Sequence, residues 1–548
     1  MSRTIVIVGG ALAGPTAAAR VRELDERARI VLVERNRHVS YPVGGLPFRL
    51  SGEVADASDL AREDRGYLES VYAVEVHRGL EARALDPARR RVTLVGADGP
   101  TELSYDALIF ATGSESLSTH EPSLAGDTTC LMRTLGDLSR LEALTATARA
   151  ALVVGGGTFG IEAADALSRR GLAVTLVERG PRLLPRFGAQ AARAAQRALE
   201  QAGVTVLTND AVTTVERADN RVARVTLRSG AVVAPDLCVL ALGVRPRTAL
   251  LADAGVALAP SGAVLVDDSA RTSAPDVFAC GSCVAVPQVV TGRPLYLPQA
   301  AIVDKSAQVA AASAVGVEAR LAPALGTTLV RARDLFVGRT GLTWDDARDA
   351  FGLDAARTLV ETLSHDIFVN QPTATILELV WLRQSGRVIG AEVAGTLGVE
   401  RRVDVAAAAI AGGLSIDELA ALDLAYVAPV GLARDPLNVA ATVAVAERDG
   451  LGRALHPDDL RPDAWQIVDV RPRGTDDVTT PGPLPAALTV RVDELRTRLA
   501  ALDATRPTLT VSDSGREGWI ALRVLRQHGF TDVAALAGGI RALERATR

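Results

Sequence analysis

The sequence is poor in the residues that build disulfide-bonded or metal-bound frameworks. It has four cysteines in 548 residues, too few for a disulfide scaffold, so the cytoplasm is the expected location. Its six histidines lack the spacing of metal ligands, and no metal is predicted. No apolar stretch is as long as the roughly 20 residues that a membrane-spanning helix needs. Because the net charge is only -5 and no block of like charges occurs, neither a nucleic acid nor a membrane is expected as a partner.

The length and the hydrophobic content indicate several domains. At 548 residues the chain is too long for one core, and about three to five domains are expected. Hydrophobic residues make up 48% of the chain and charged residues 23%, an ordinary globular balance.

The N-terminal segment has the pattern of a dinucleotide-binding unit. A strand from Thr4 to Val8 leads into the turn Gly9-Gly10-Ala11-Leu12-Ala13-Gly14, a helix follows, and a second strand ends at Glu34. Gly9 permits the tight turn, and Gly14 allows close contact between strand and helix. The helix N-terminus can then bind a pyrophosphate, and Glu34 can accept hydrogen bonds from a ribose.

The same pattern returns later in the chain. A strand from Ala151 to Val154 precedes Gly155-Gly156-Gly157-Thr158-Phe159-Gly160, a helix follows, and the next strand ends at Glu178. Two such units imply two dinucleotides. An acidic residue at position 178 repels a 2′-phosphate, so NADH is favoured over NADPH, although Arg179 and Arg182 leave NADPH open.

Three further strand ends fit FAD in the first unit and a nicotinamide nucleotide in the second. They are Leu108 to Gly113, Ala241 to Pro246, and Val277 to Ser282, the last read as a strand–helix junction. Since FAD-type signals return after Leu240, the second unit is predicted to be inserted into the first domain.

The C-terminal third predicts two more folded segments. From about Gly326, strands such as Thr375 to Arg383 alternate with short helices, and a linker follows. The last part then predicts a small α/β domain, with strands at Gln466 to Val470 and Thr508 to Val511 and helices at Val492 to Leu502 and Trp519 to Gln527.

Taken together, these segments resemble the flavoprotein disulfide reductases that bind two dinucleotides, in particular CoA-disulfide reductases with a C-terminal rhodanese domain and the related NADH oxidases and persulfide reductases. The segments that carry the resemblance are Ile5 to Arg20, Ser40 to Pro47, both glycine turns, Ala279 to Ser282, Arg401 to Asp404, Tyr426 to Pro429, Ala433 to Asn438 and the terminal segment.

The resemblance implies an α/β fold with two Rossmann-like domains, an α+β dimerisation domain and a rhodanese-like α/β domain, assembled as a homodimer. The expected divisions are an FAD domain at 1–115 and 240–322, an NAD(P)H domain at 116–239, a dimerisation domain at 323–446, a linker at 447–462 and a rhodanese-like domain at 463–548. The cofactors implied are FAD and NADH.

The resemblance also assigns site residues. Those expected at FAD or NADH are Gly9, Ala11, Leu12, Ala13, Gly14, Glu34, Arg35, Ala82, Thr112, Gly113, Gly155, Gly157, Gly160, Glu178, Gly243, Gly281 and Ser282. No catalytic residue is identified, and the candidates near the flavin are Val43, Gly44, Glu162 and Tyr426.

The chain departs from the family at the residues that handle sulfur. Gly44 stands where the family has its redox cysteine, and glycine can neither attack a disulfide nor accept electrons into sulfur. Phe368 and Val430 replace tyrosines that the family places over the thiol. In the rhodanese-like loop, Ser512 and Glu517 replace the sulfur-carrying cysteine and an arginine, so a structural or docking role is expected there, with a serine-nucleophile role left open.

Other residues keep two interpretations each. Cys280 and Cys283 have the spacing of a redox pair, but packing is favoured. His365 could touch substrate, but a surface-loop position is favoured. Arg20 and Arg22 match positions near which relatives bind CoA phosphates, and equally suit solvated helix charges.

The expected function is therefore a flavoprotein that takes hydride from NADH and reduces a small organic substrate, with CoA-linked or carrier-linked substrates left open. An NADH oxidase that forms hydrogen peroxide is the alternative enzyme. A flavin-bearing scaffold without catalysis is the alternative of another class.

Overall fold

The computed structural model describes residues 2–61, 66–117, 124–471, 484 and 487–547. The chain forms two compact units. One comprises residues 1–181 and 202–324, and the other comprises residues 182–201 and 325–548.

The first part of the first unit is built on a parallel sheet. Its elements are β1 (Thr4–Val8), α1 (Ala13–Leu24), β2 (Arg29–Glu34), α2 (Leu46–Ser51), α3 (Tyr67–Tyr72), β3 (Glu75–Arg78), β4 (Glu81–Asp86), β5 (Arg91–Gly96), β6 (Gly99–Ser104), β7 (Ala107–Phe110) and β8 (Ser114–Ser116). Strands β1, β2, β3 and β7 pair in parallel, and the residues of β1 and β7 are buried almost throughout because helices cover the sheet.

The next part repeats this topology. Its elements are β9 (Thr129–Cys130), α4 (Leu135–Thr145), β10 (Ala150–Val154), α5 (Thr158–Arg169), β11 (Ala173–Val177), α6 (Ala189–Gln201), β12 (Thr205–Leu207), β13 (Val212–Ala218), β14 (Arg221–Leu227), β15 (Val232–Val233) and β16 (Leu237–Leu240). The strand order of this parallel sheet is β12-β11-β10-β16-β9, and that of the first sheet is β19-β7-β1-β2-β3. Strands β10, β11 and β12 therefore occupy the positions that β1, β2 and β3 have in the first sheet. Each sheet is accompanied by a small antiparallel sheet, β4-β5-β6 or β13-β14-β15.

The chain then returns to the first sheet. The elements are β17 (Val244–Pro246), α7 (Ala249–Asp253), β18 (Val264–Leu265), β19 (Val277–Ala279), β20 (Val284–Pro287), β21 (Pro294–Tyr296) and α8 (Ala300–Ala314). Strand β19 joins the edge of the first sheet by pairing with β7, as the predicted insertion requires. The segment after β19 leads through a turn into strand β20, so the expected strand–helix junction at Val277 to Ser282 is wrong.

The second unit contains an antiparallel sheet in the order β22-β23-β26-β25-β24. The elements are β22 (Thr328–Ala332), β23 (Leu335–Gly341), α9 (Trp344–Phe351), β24 (Ala355–Leu363), β25 (Ala374–Leu382), β26 (Val388–Gly395), α10 (Val399–Gly412), α11 (Ile416–Ala421) and α12 (Pro436–Arg448). Helix α6, which the sequence assigns to the inserted domain, belongs to this unit and packs against β22, β23 and β26.

The C-terminal segment forms a parallel sheet in the order β27-β31-β30-β28-β29. The elements are β27 (Ala454–Leu455), β28 (Gln466–Asp469), β29 (Leu488–Thr489), β30 (Thr508–Val511), α13 (Arg516–Gln527), β31 (Val533–Leu536) and α14 (Gly539–Thr547).

One strand lies within the expected linker, and one expected helix is wrong. The expected linker contains β27, which pairs with β31. In place of the helix expected from Val492 to Leu502, two short 3-10 turns form at Leu495–Thr497 and Leu499–Ala501. The α/β class itself is confirmed.

Candidate dinucleotide and active site

The first glycine turn is shaped by contacts that exclude side chains. Gly9 has a φ of 113°, and a Cβ there would lie 2.2 Å from the carbonyl oxygen of Ala111. A Cβ at Gly14 would lie 1.8 Å from the carbonyl oxygen of Gly9. Both positions therefore require glycine, because any other residue would separate strand, turn and helix.

Glu34 stabilises this turn from the end of β2. One oxygen of its buried carboxylate accepts the backbone N–H of Gly10 at 2.7 Å. The other accepts the backbone and side-chain amides of Asn36 at 2.8 and 2.6 Å. A carboxylate oxygen has a second lone pair, so Glu34 can still accept a ribose hydroxyl.

The N-terminus of α1 fits a pyrophosphate. No side chain caps it, and its first turn carries no acidic residue, so its leading N–H groups and positive dipole end suit an anion. Gly281 closes this end: it has a φ of 80°, its N–H donates to Ser306 at 2.9 Å, and a Cβ there would lie 2.8 Å from the Cβ of Ala13. The donor set and the space around the turn thus suit FAD.

The remaining residues expected at FAD lie in the same unit. Ala11 and Leu12 are half-buried residues of the turn, Ser282 follows Gly281, and Ala82 lies on β4. Thr112 donates its hydroxyl to the carbonyl oxygen of Arg247 at 2.7 Å. Their contact with the cofactor stays a prediction.

Three further residues expected at the cofactors are Arg35, which forms an ion pair, and Gly113 and Gly243, which have positive φ angles. Arg35 pairs with Glu81 at 3.3 Å near the surface. Gly113 and Gly243 adopt φ values of 67° and 95°, which glycine takes without strain, just beyond the ends of their strands.

The second glycine turn reproduces the first. A Cβ at Gly155, which has a φ of 109°, would lie 2.4 Å from the carbonyl oxygen of Ala241, and a Cβ at Gly160 would lie 1.8 Å from that of Gly155. By contrast, a Cβ at Gly157 would meet nothing within 4 Å, and α5 begins there without a side-chain cap. The turn therefore leaves open space at the helix start for a second pyrophosphate.

Glu178 has the role in this turn that Glu34 has in the first. Its buried carboxylate accepts the N–H groups of Gly156 and Gly180, each at 2.7 Å. Glu162 is half-buried in the second turn of α5, two residues beyond Gly160.

Gly44 lies in an open position. It is exposed within a short 3-10 turn, Val43–Gly45, that leads into α2, and a Cβ on it would meet no atom of the described residues within 4 Å. The neighbouring Gly45 is crowded, because a Cβ there would lie 2.7 Å from Leu60. Val43 is half-buried beside it.

All four cysteines are buried. Cys130 and Cys238 lie on adjacent strands of the second sheet. Burial raises the pKa of the Cys283 thiol to about 11 and that of Cys280 well above its usual value, and the sulfur of Cys283 contacts the carbonyl oxygens of Phe110 and Cys280. Cys280 and Cys283 thus resemble packing residues, as favoured from the sequence.

Sequence reasoning missed a group of polar side chains beside the Thr112–Gly113 turn. Arg133 donates to the hydroxyl of Ser114 at 2.7 Å and stacks over the ring of Phe159 in the second glycine turn. Arg247 donates to the carbonyl oxygen of Thr112 at 3.3 Å. Burial raises the pKa of Tyr41 to about 12, so its hydroxyl stays protonated at neutral pH. No local pattern marks these residues, because they come from separate segments.

The candidates from the dimerisation segment lie in the second unit. Tyr426 is 47% exposed and donates its hydroxyl to Asp366. Phe368 and Val430 are 76% and 43% exposed. The surface position favoured for His365 is wrong: this residue is buried, with its ring nitrogens bonded to Ser364 at 2.9 Å and the carbonyl oxygen of Asn370 at 3.1 Å.

The two arginines of α1 differ in their contacts. Arg20 forms an exposed ion pair with Glu23 at 2.9 Å. Arg22 donates to backbone carbonyl oxygens, among them those of Tyr72 at 2.8 Å and Glu26 at 2.6 Å. Arg22 thus ties α1 to the end of α3.

Ser512 closes the loop between β30 and α13. It is fully buried, and its hydroxyl oxygen accepts the backbone N–H groups of Gly515 and Gly518, both at 3.1 Å. Burial raises the pKa of the neighbouring Asp513. This arrangement favours a structural role for Ser512 over a nucleophilic one.

Within the residues that the structure describes, no group of three or more His, Cys, Asp or Glu side chains could hold a metal ion. Over the same residues, every helix is too short or too polar to cross a membrane.

Comparison with protein families gives two matches. Residues 3–313 match the pyridine nucleotide-disulphide oxidoreductase model. Residues 330–430 match the dimerisation domain of the same family.

Curated relatives are similar over most of the chain. An NADH oxidase of Methanocaldococcus jannaschii is 28% identical over 449 residues, which cover 80% of this chain and 97% of the relative. A coenzyme A disulfide reductase of Staphylococcus haemolyticus is 25% identical over 442 residues, covering 80% of this chain and 98% of the relative.

Solved structures extend the similarity along the chain. Reduced CoADR-RHD of Bacillus anthracis superposes with a TM-score of 0.93 at 27% identity, covering 100% of this chain and 98% of the other. An NAD-dependent persulfide reductase of A. fulgidus gives a TM-score of 0.92 at 28% identity, covering 98% and 99%. The matched family model spans more than half of the residues, from 3 to 313, and the chain therefore belongs to the pyridine nucleotide-disulphide oxidoreductase family.

Proposed function

We propose that this protein oxidises NADH and reduces a small organic acceptor that is not a disulfide. It is an NAD(P)H-dependent flavoprotein oxidoreductase, and its cofactors are FAD and NADH. The observation that carries the proposal is the open, exposed position of Gly44, where the CoA-disulfide reductases that the chain resembles have their redox cysteine.

The burial of the other thiols supports this proposal. Disulfide reduction needs a thiolate, and Cys283, with a pKa of about 11, is almost entirely protonated at neutral pH. Since all four cysteines are buried, none is offered to a substrate without local opening of the fold.

The chain's own residues would hold two dinucleotides. Glu34 and Glu178 would accept ribose hydroxyls, and the uncapped starts of α1 and α5 would bind pyrophosphates. Bound FAD supplies a two-electron relay between NADH and the acceptor. Glu162 would lie on the nicotinamide side and Val43 and Gly44 on the acceptor side.

The acceptor would fit into the space that the missing side chain of Gly44 leaves. A small organic molecule suits that space, and a CoA-linked or carrier-linked form remains compatible with it. Burial raises the pKa of Tyr41 to about 12, so its hydroxyl stays protonated at neutral pH. This hydroxyl could donate a hydrogen bond to the acceptor but could not act as a base.

A homodimer would complete the site. The match to the dimerisation domain supports it, as does the exposure of Phe368, Val430 and Tyr426. In that arrangement Tyr426 of one subunit would face the acceptor site of the other.

The five-part division expected from the sequence is kept in this proposal, with two changes. Strand β27, which lies within the expected linker, is assigned to the C-terminal domain because it pairs with β31. Helix α6 is assigned to the second compact unit rather than to the NAD(P)H domain. The C-terminal domain would be rhodanese-like but unable to carry sulfur, because Ser512 replaces the cysteine.

A second candidate is an NADH oxidase that forms hydrogen peroxide. The NADH oxidase of M. jannaschii supports dioxygen as an acceptor. The product is proposed to be hydrogen peroxide because no cysteine stands at position 44 to carry the reduction further. Dioxygen would occupy the space beside Gly44.

The test is anaerobic reduction of the yellow holoprotein by NADH, followed by addition of one acceptor at a time. We expect rapid bleaching by NADH, no reoxidation by CoA disulfide, and reoxidation by an organic acceptor. Reoxidation by air alone, with stoichiometric peroxide, would support the oxidase instead. Turnover of CoA disulfide or persulfide at ordinary enzymatic rates refutes both, and a flavin that NADH leaves yellow indicates a non-catalytic scaffold.

A further inference from the structure

Two buried glutamates face each other on the antiparallel sheet of the second unit. Glu378 on β25 and Glu392 on β26 are 6% and 5% exposed. They are direct cross-strand partners. Like charges in this position repel, and an ionised buried carboxylate without compensation is costly, so the pair is expected to hold a proton.

Hydrogen bonds indicate which carboxyl carries the proton. The Nδ1 atom of His456 accepts the N–H of Asp458 at 3.2 Å, so Nε2 carries the hydrogen and donates to Glu378 at 3.0 Å. Glu378 is therefore the acceptor in this contact. One oxygen of Glu392 accepts the N–H of Gly188 at 2.6 Å, and its other oxygen is buried without a hydrogen-bond partner among the described residues. A proton on that second oxygen would allow it to donate to Glu378.

The neighbouring positive charges do not stabilise the ionised form of Glu392 enough to remove this proton. Arg339, from β23, and Arg182 lie near Glu392 and favour its ionised form, but burial and the charge of Glu378 prevail and raise the pKa of Glu392 to about 8. The guanidinium of Arg339 also donates to the carbonyl oxygen of Arg186.

Outer charges complete the surroundings of this pair. Asp346 lies 4.0 Å from Arg339, and Asp458 lies 3.5 Å from His456. Asp458 also pairs with Arg193 of α6 at 2.9 Å.

The same surface holds α6 and the end of the chain. Gly188 immediately precedes α6, so Glu392 caps this helix. Gln190 of α6 donates to the carbonyl oxygen of Ala542 at 3.2 Å, and Arg545 of α14 donates to Gln190 at 3.2 Å and to buried Glu361 of β24. Helix α6 and the C-terminal segment thus share one polar interface with the sheet.

We propose that a proton shared by Glu378 and Glu392 keeps α6 and the described residues of the C-terminal segment, 454–471 and 487–547, docked on this sheet, and that its loss loosens them. The docked form keeps the proton up to about pH 8, whereas an undocked, solvated Glu392 loses it near its usual value of 4.5. Docking is therefore tightest below pH 4.5, weakens as the pH rises to about 8, and is constant above it. The equilibrium constant for docking can change by at most about tenfold for each pH unit, because one proton is involved.

Hydrogen exchange of the full-length holoprotein tests this inference. Protection factors of α6 amides, corrected for the intrinsic pH dependence of exchange, should fall between pH 6 and pH 8 by up to about 100-fold. Glu392→Gln imitates the protonated carboxyl, so its protection should remain high at both pH values.

Glu447→Gln is the matched control. Glu447 is also buried, burial raises its pKa to about 7, and it bonds Thr358 at 2.8 Å on the opposite face of the sheet. It also accepts the N–H of Ala454 at 2.9 Å, so only the α6 amides, which it does not contact in the described structure, serve as the readout for this control. This variant should keep the pH dependence of α6. Equal wild-type protection at pH 6 and pH 8 would overturn the proposal without any variant. A pH dependence that persists in Glu392→Gln, or that disappears in Glu447→Gln, would also overturn it.

Discussion

Replacing Gly44 by cysteine introduces a thiol at a position that the fold leaves open. A Cβ there meets no atom within 4 Å among the residues that the structure describes, and the backbone is not in the left-handed region, so the substitution fits this part of the structure without rearrangement. We expect the free energy of unfolding to change by less than about 1 kcal/mol, because losing glycine restricts the unfolded chain slightly and no packing is disturbed.

The reactivity of the introduced thiol can be compared with that of the native ones. At pH 8 an exposed thiol with a pKa near 8.5 is about one-quarter thiolate. Cys283, with a pKa of about 11, is only about 0.1% thiolate, which is roughly 250 times less. Burial reduces its reaction further, so the variant should expose one fast thiol per chain and the wild type none.

The assay is titration of the native protein with an aromatic disulfide, alongside denaturant unfolding and CoA-disulfide turnover with NADH. Gly45→Cys is the control, since its Cβ would lie 2.7 Å from Leu60, and it should lose stability. We expect Gly44→Cys to remain slow in turnover because Phe368 and Val430 cannot protonate a leaving thiolate. Fast labelling of the wild type would refute the reasoning about burial, and brisk turnover by Gly44→Cys would refute the importance of the two replaced tyrosines.

Three further predictions concern the cofactors and the dimer. Gly160→Ala should raise the KM for NADH and lower the free energy of unfolding by about 1–3 kcal/mol. Gly157→Ala should raise the KM alone, because its Cβ would meet no described atom within 4 Å. Equal losses of stability in urea unfolding of the two variants would contradict this prediction. Glu34→Gln should weaken FAD retention about 5- to 150-fold, because one backbone N–H group that Glu34 accepts would lose its acceptor at a cost of about 1–3 kcal/mol. Flavin absorbance after gel filtration measures the retained FAD, and full retention would contradict the prediction. Phe368→Asp should weaken dimerisation in sedimentation experiments if its 76% exposed ring is covered by a second subunit, and an unchanged dimer would place the interface elsewhere.

Much of the nucleotide-binding fold could be predicted because its signals are local. Strand β1 was expected at Thr4 to Val8 and forms there. The turn around Gly9 and its counterpart around Gly155 need left-handed backbone and close contacts, which leave a glycine pattern in the sequence. The helix expected from Val492 to Leu502 failed because apolar periodicity also suits short 3-10 turns packed on a neighbouring core.

Residues that act through long-range contacts left no such pattern. Arg133 and Arg247 come from separate segments, and nothing local marks their contacts with Ser114 and Thr112. His365 looked like a loop residue, yet it is buried because Ser364 and Asn370 bond both ring nitrogens.

The amino-acid order alone establishes two glycine turns, each with its glutamate, and the lack of a cysteine at position 44, because these depend on residue identity and short spacing. Folding in three dimensions places α6 against the antiparallel sheet, joins β27 to β31, and brings Glu378 opposite Glu392. Those pairings depend on strand register and burial between distant segments, which no short stretch of sequence encodes.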